Sequence, residues 1–175
     1  GPPVLGQQPR AQPPHHGRPP LHPEVEQRPS HRRHRLGHEE RLETIELALT
    51  AAETGHLVLA TLHTVSAWKT VDRIVSVFPA DQQEQIRTQL AGSLEGIVAQ
   101  VLLPRADRPG RVAAHEIMIG TPAIRNLIRE AKIAQMNAAI QTGASVGMQT
   151  LDQCLTDLTR RNLISMVDAR AAAAN

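Results

Sequence analysis

Cysteine occurs once in this sequence, at Cys154, which excludes an intramolecular disulfide framework and fits a reducing compartment. No apolar run reaches the 18 or so residues that a membrane helix needs, so no span is expected. The first residues are proline-rich rather than a short basic stretch followed by an apolar core, so no secretory signal is read there. Lysine is nearly missing too: 17 arginines stand against 2 lysines. Residues 1–38 contain no Ile, Phe, Met or Trp, and only Val4, Leu5, Ala11, Leu21, Val25 and Leu36 from the apolar set. A stretch so poor in apolar surface cannot offset its ordering entropy, and disorder is expected. Together these shortages describe a cytoplasmic chain whose folded part begins near residue 42.

What residues 1–38 do contain is 9 of the 13 prolines and 6 of the 9 histidines. Six arginines against Glu24 and Glu26 leave them at +4, while the remaining 13 basic and 15 acidic residues sum to −2. A basic arm can touch nucleic acid or an anionic surface. It holds no aromatic residue on which a base could stack, so no nucleic-acid partner is assigned. The Pro, Arg, His, Gln, Ala and Gly bias is also what GC-rich DNA gives in a wrong frame. Residues 1 to about 40 are therefore either an out-of-frame stretch or a genuine linker. His31, His34 and His38 could share a helical face and bind a metal, but in a Pro/Arg-rich tail they are read as part of a solvated loop, and no metal is assigned.

The rest alternates in character. Leu42 to Thr54 has a helical pattern closed by Gly55, since glycine enters the left-handed conformation without steric cost. His56–Leu62 is a short apolar run and is expected to be a buried strand. Val65 to Val77 predicts a helix, broken at Phe78-Pro79. Asp81 is the expected N-cap of another, running to about Leu103. Arg111–Ile119 predicts a strand, and Thr121-Pro122 marks a helix start. Helices with breaks at Gly143–Gly147 and near Leu163 complete the chain. Two or three strands followed by helices would leave sheet edges open.

Motif tests are mostly negative. A phosphate-binding loop needs glycines followed by Lys and Ser/Thr, yet the chain has no Gly-Lys pair, and Lys69-Thr70 sits mid-helix. His115-Glu116 begins like a zinc-protease helix but lacks the second His. Two constellations remain. His56 and His63 flank the apolar run, where strand ends meet loops and α/β folds place ligand chemistry; from the residues alone each is read first as a hydrogen-bonded structural residue. In Ala123-Ile124-Arg125-Asn126-Leu127-Ile128-Arg129-Glu130, Arg125 and Arg129 lie four apart on one face and Ile124, Leu127 and Ile128 on another. On spacing alone that is a helix with a solvated basic face.

Those two stretches, with Leu42-Glu43-Thr44-Ile45 before the first, Arg111–Gly120 before the second and Gly147–Asp152 after it, resemble signature segments of the PilT family of type IV pilus retraction ATPases. The resemblance covers about residues 42–175. It implies an α/β fold: the C-terminal part of a RecA-like ATPase core over 42–120, a helical C-terminal region over 121–175, and a tail over 1–41. It further implies homo-hexamers, ATP and Mg2+ as ligands, and a cytoplasmic place peripheral to the inner membrane, against the platform at the pilus base. By the same resemblance His56 and His63 are the His-box residues near the nucleotide, and Ala123 to Glu130 (AIRNLIRE) form the helix that retraction depends on. The family's Walker B segment ends Gly-Glu-x-Arg-Asp, whereas Gly37, His38, Glu39, Glu40 and Arg41 stand here, with His38 in place of the carboxylate. Walker A, the acidic box and the PAS-like domain have no counterpart in these residues. The resemblance thus implies a motor-derived chain that does not hydrolyse ATP alone, or else an interaction module docking on full-length subunits.

Overall fold

A computed structural model describes residue 1 and residues 38–173. The Pro/Arg/His-rich stretch over 2–37, with His31 and His34, lies outside the described residues, whereas 38–41, expected to belong to the tail, are helical. The fold is a mixture of helices and one two-stranded sheet. In order come α1 (His38–Glu53), α2 (Ala67–Ser76), α3 (Gln83–Ser93), β1 (Gly96–Pro104), β2 (Arg111–Ile119) and α4 (Pro122–Arg129). Then follow a 3-10 turn at Ile133–Gln135, α5 (Met136–Thr142), a second such turn at Ala144–Val146, α6 (Leu151–Arg160) and α7 (Met166–Ala172).

β1 and β2 form an antiparallel hairpin in which Gly96 faces Ile119 and Pro104 faces Arg111. Side chains alternate across a strand, so this register puts Ile97, Ala99, Val101 and Leu103 on the same face as Val112, Ala114, Glu116 and Met118. That face is the covered one: Ala99, Leu103, Ala114, Glu116 and Met118 are all buried. Two apolar clusters sit on it. One joins Leu49 of α1, Val71 and Val75 of α2, Ile86 and Leu90 of α3, Met118 of β2, Ile124 and Ile128 of α4, and Met136 and Ile140 of α5. The other joins Leu103 and Ala114 to Leu151, Leu155 and Leu158 of α6, Ile164, and Ala169 of α7.

The helix ends follow local chemistry. Ser66, Thr121, Thr150 and Ser165 cap α2, α4, α6 and α7, each accepting a backbone N–H with its hydroxyl. Thr150 and Gln153 bond reciprocally, which satisfies two orphan donors at once. α1, α4 and α6 all end in the same way. In each, the residue after the cap is left-handed (Gly55, Ala131, Asn162), and its N–H and the next one reach back to the helix carbonyls.

Two expectations fail. His56–Leu62 is neither strand nor buried: Leu57 is 83% and Leu59 89% exposed. No backbone hydrogen bond connects residues 57–65 to any described residue. An apolar run becomes a buried strand only when neighbouring strands supply ladder partners, and the hairpin offers none here. The helix expected from Asp81 to about Leu103 stops at Ser93, and Gly96–Pro104 is β1. Its cap position is held by Gln82, with no side-chain bond, and not by Asp81. Gly96 disfavours a continued helix, the β-branched Ile97 and Val98 favour the strand, and pairing with β2 decides it.

Candidate functional site

The residues singled out by sequence fall in two places. His56 follows α1 directly and is exposed, its Nδ1 3.1 Å from the Thr54 hydroxyl. His63 is exposed at the other end of the unpaired segment. Beyond it the chain is fastened. Thr64 and Thr70 hydroxyls lie 2.6 Å apart, the Thr70 hydroxyl donates to the Ser66 carbonyl at 2.9 Å, and Ser66 opens α2. His63 is thus held near the first turn of α2, while His56 is held by the last turn of α1.

Glu116 was not read as a site residue, yet it is the one buried carboxylate among the described residues. It is 4% exposed, in the middle of the covered face of β2 between Ala114 and Met118. Its Oε1 accepts the N–H of Ala67, the first residue of α2, at 2.6 Å. A carboxylate at a helix N-terminus meets unpaired N–H groups and the positive end of the helix dipole, which compensates its burial. The signal was present in sequence: alternation along Val112, Ala114, Glu116 and Met118 puts one charge among inward positions. Through Ala67 this carboxylate fixes the segment that carries His63.

The second constellation is α4. Ile124 and Ile128 are fully buried and Leu127 half-buried, as the spacing required. Ala123, Asn126, Arg129 and Glu130 are exposed. Asn126 donates to Glu130 at 2.9 Å and Lys132 pairs with Glu130 at 2.7 Å. The Lys132 and Asn126 bonds hold the Glu130 carboxyl below the usual carboxylate range. Arg125 departs from the solvated basic face expected of it. Its guanidinium turns back onto α3 and the α3–β1 turn, donating to the carbonyls of Gly120 (2.6 Å), Ala91 (3.1 Å) and Gly92 and to Glu95 (2.9 Å).

No group of three metal-ligating side chains is formed among the described residues. A phosphate cradle would need a glycine-rich loop ending in Lys, which the sequence lacks. The residues present therefore do not fit the phosphates of a nucleotide. His38–Arg41, set against the Walker B end by the resemblance alone, form the first turn of α1. Among the described residues no helix is long and apolar enough to cross a membrane.

Comparison with known proteins gives the family of the chain. The Type II/IV secretion system protein family matches residues 37–165. The type IV pilus retraction ATPase PilT of Pseudomonas aeruginosa is 63% identical over 132 residues, which cover 75% of this chain and 38% of that protein. A twitching motility protein of Neisseria gonorrhoeae is 59% identical over 133 residues, 76% of this chain and 36% of that protein. In structure, the pilus retraction motor PilT with bound ADP superposes with a TM-score of 0.69 at 48% identity, covering 77% of this chain and 37% of that one. The chain spans little more than a third of the length of these relatives. With its family match over most of the described residues, it belongs to the Type II/IV secretion system protein family, on the PilT-type branch.

Proposed function

We propose that this chain carries the His-bearing segment and the AIRNLIRE helix of a type IV pilus retraction motor ATPase, and does not hydrolyse ATP by itself. The observation that carries the reading is the 63% identity to a retraction ATPase over residues that include both constellations but no phosphate-binding loop. In this reading residues 42–120 are part of a RecA-like core and 121–175 the helical C-terminal region. The unpaired segment 56–63 becomes a strand when the rest of the core is supplied, which brings His56 and His63 to the strand ends beside the nucleotide. ATP and Mg2+ are then held by residues outside this chain. The subunits are homo-hexameric and cytoplasmic, peripheral to the inner membrane at the pilus platform. Magnesium-dependent phosphate release by the purified chain tests the proposal, and appreciable turnover would overturn it.

One observation supports a second reading, an interaction module that docks on full-length motor subunits. Leu57 and Leu59 are exposed, and the backbone of 57–65 has no hydrogen-bond partner among the described residues. An edge of this kind recruits a strand from another chain. Co-purification with a full-length motor, lost on introducing proline at Val58, is the expected result. A monomer with no partner at micromolar concentration would count against it.

A further inference from the structure

We infer that Arg125 is a positioning residue, a staple that fixes α4 to the C-terminal end of α3, so that the outward face of Ala123, Asn126 and Arg129 is held in one orientation. The last carbonyls of a helix have no partner within it. At the end of α3, Leu94 N–H returns to Leu90, leaving Ala91 and Gly92 open, because the chain turns at once into β1. Arg125 Nη1 donates to both of these carbonyls. Its Nε donates to the Gly120 carbonyl just ahead of α4, and its Nη2 to Glu95 in the α3–β1 turn. Four acceptors from three chain segments thus meet one planar fork, a geometry that a lysine cannot reproduce.

The surroundings are built to the same plan. Gly120 donates its N–H to the Glu95 carbonyl at 2.8 Å. A Cβ at position 120 would run into the Leu94 carbonyl oxygen, so only glycine lets the two turns approach this closely. The Arg125 side chain is 23% exposed, whereas Glu95 is 81% exposed. The salt bridge to Glu95 is therefore the weaker part of the staple, and the three carbonyl bonds are the stronger. Arg125 is consequently spent inside the molecule. Of the two arginines of the motif, Arg129 is the one open to a partner. Arg125 keeps this role whether or not the chain works in an ATPase.

The test compares Arg125→Lys, Arg125→Ala and Arg161→Gln in the full chain, the last removing an exposed ion pair to Asp157. Arg125→Lys is expected to raise the unfolded-to-folded ratio about tenfold or more, and Arg161→Gln to change it less than about threefold. The Gly120 amide should exchange faster in Arg125→Lys than the global change requires, and the Asn126 and Arg129 amide resonances should move. Millimolar guanidinium, against sodium chloride of equal ionic strength, should restore part of the stability of Arg125→Ala and none of Arg161→Gln. Should Arg125→Ala fail to fold, Arg125→Lys still decides. An Arg125→Lys protein with wild-type midpoint, Gly120 exchange and α4 resonances would overturn the staple.

Discussion

At single residues the structure makes three demands that ordinary denaturation can check. Ala131 sits at φ 56°, in the left-handed position that ends α4, where a Cβ costs about 1–2 kcal/mol. Ala131→Gly should therefore stabilise the chain by about 1 kcal/mol in urea unfolding, net of the greater freedom glycine gives the unfolded state. Glu116→Ala should do the reverse. It strands the Ala67 N–H under the sheet and is expected to cost about 1–3 kcal/mol, with Glu116→Gln recovering part through its amide oxygen. Glu130 adds a pH dependence whose sign is fixed by its partners. Its carboxyl is held below the usual range by Lys132 and Asn126, so its contribution is present above the ordinary Glu pKa, about 4.3. That contribution is lost as pH falls through the lowered value. Wild type should thus lose more stability than Glu130→Gln on acidification below about pH 4, measured as the difference between their urea midpoints.

For the elements, what could be read from sequence was whatever local chemistry decides. The Thr121-Pro122 start of α4, the Gly55 end of α1 and the β2 span were legible, because capping geometry and alternation are properties of a few neighbouring residues. β1 was not, since Gly96–Pro104 follows a helix and is made a strand by β2, which is a non-local cause. The segment 56–63 failed for the opposite reason: its apolar run is a strand signal, but a strand needs partners. Of the candidate residues, the AIRNLIRE helix was legible, whereas His56 and His63, expected at the ends of a buried strand, stand at the ends of an exposed unpaired segment. The inward turn of Arg125 was not legible, because it depends on where α3 ends. Substitutions separate the two kinds of apolar residue. Ile128→Ala, at a fully buried position, should cost about 2–5 kcal/mol, whereas Leu59→Lys should be nearly neutral in the chain alone. Amides 57–63 should exchange close to the rate of an unstructured peptide, and protection there in the isolated chain would show a paired strand.

Over the whole molecule, one covered sheet face carries two apolar clusters, and both constellations that resemble a retraction motor hang from their rim. The His-bearing segment is tied down only at its ends, by Thr54 and by the first turn of α2, while the AIRNLIRE helix is anchored through Ile124, Ile128 and Arg125. The pattern is rigid where the elements join the core and open along 56–63, the segment that the proposed function completes with the rest of a motor. The chain shares 63% identity with a retraction ATPase over 132 residues, and its sequence holds no glycine-rich loop ending in Lys. Phosphate release from ATP and Mg2+ by the purified chain decides whether it turns over nucleotide by itself. A rate indistinguishable from buffer is expected at every chain concentration tried; magnesium-dependent turnover that rises with chain concentration would overturn the proposed function.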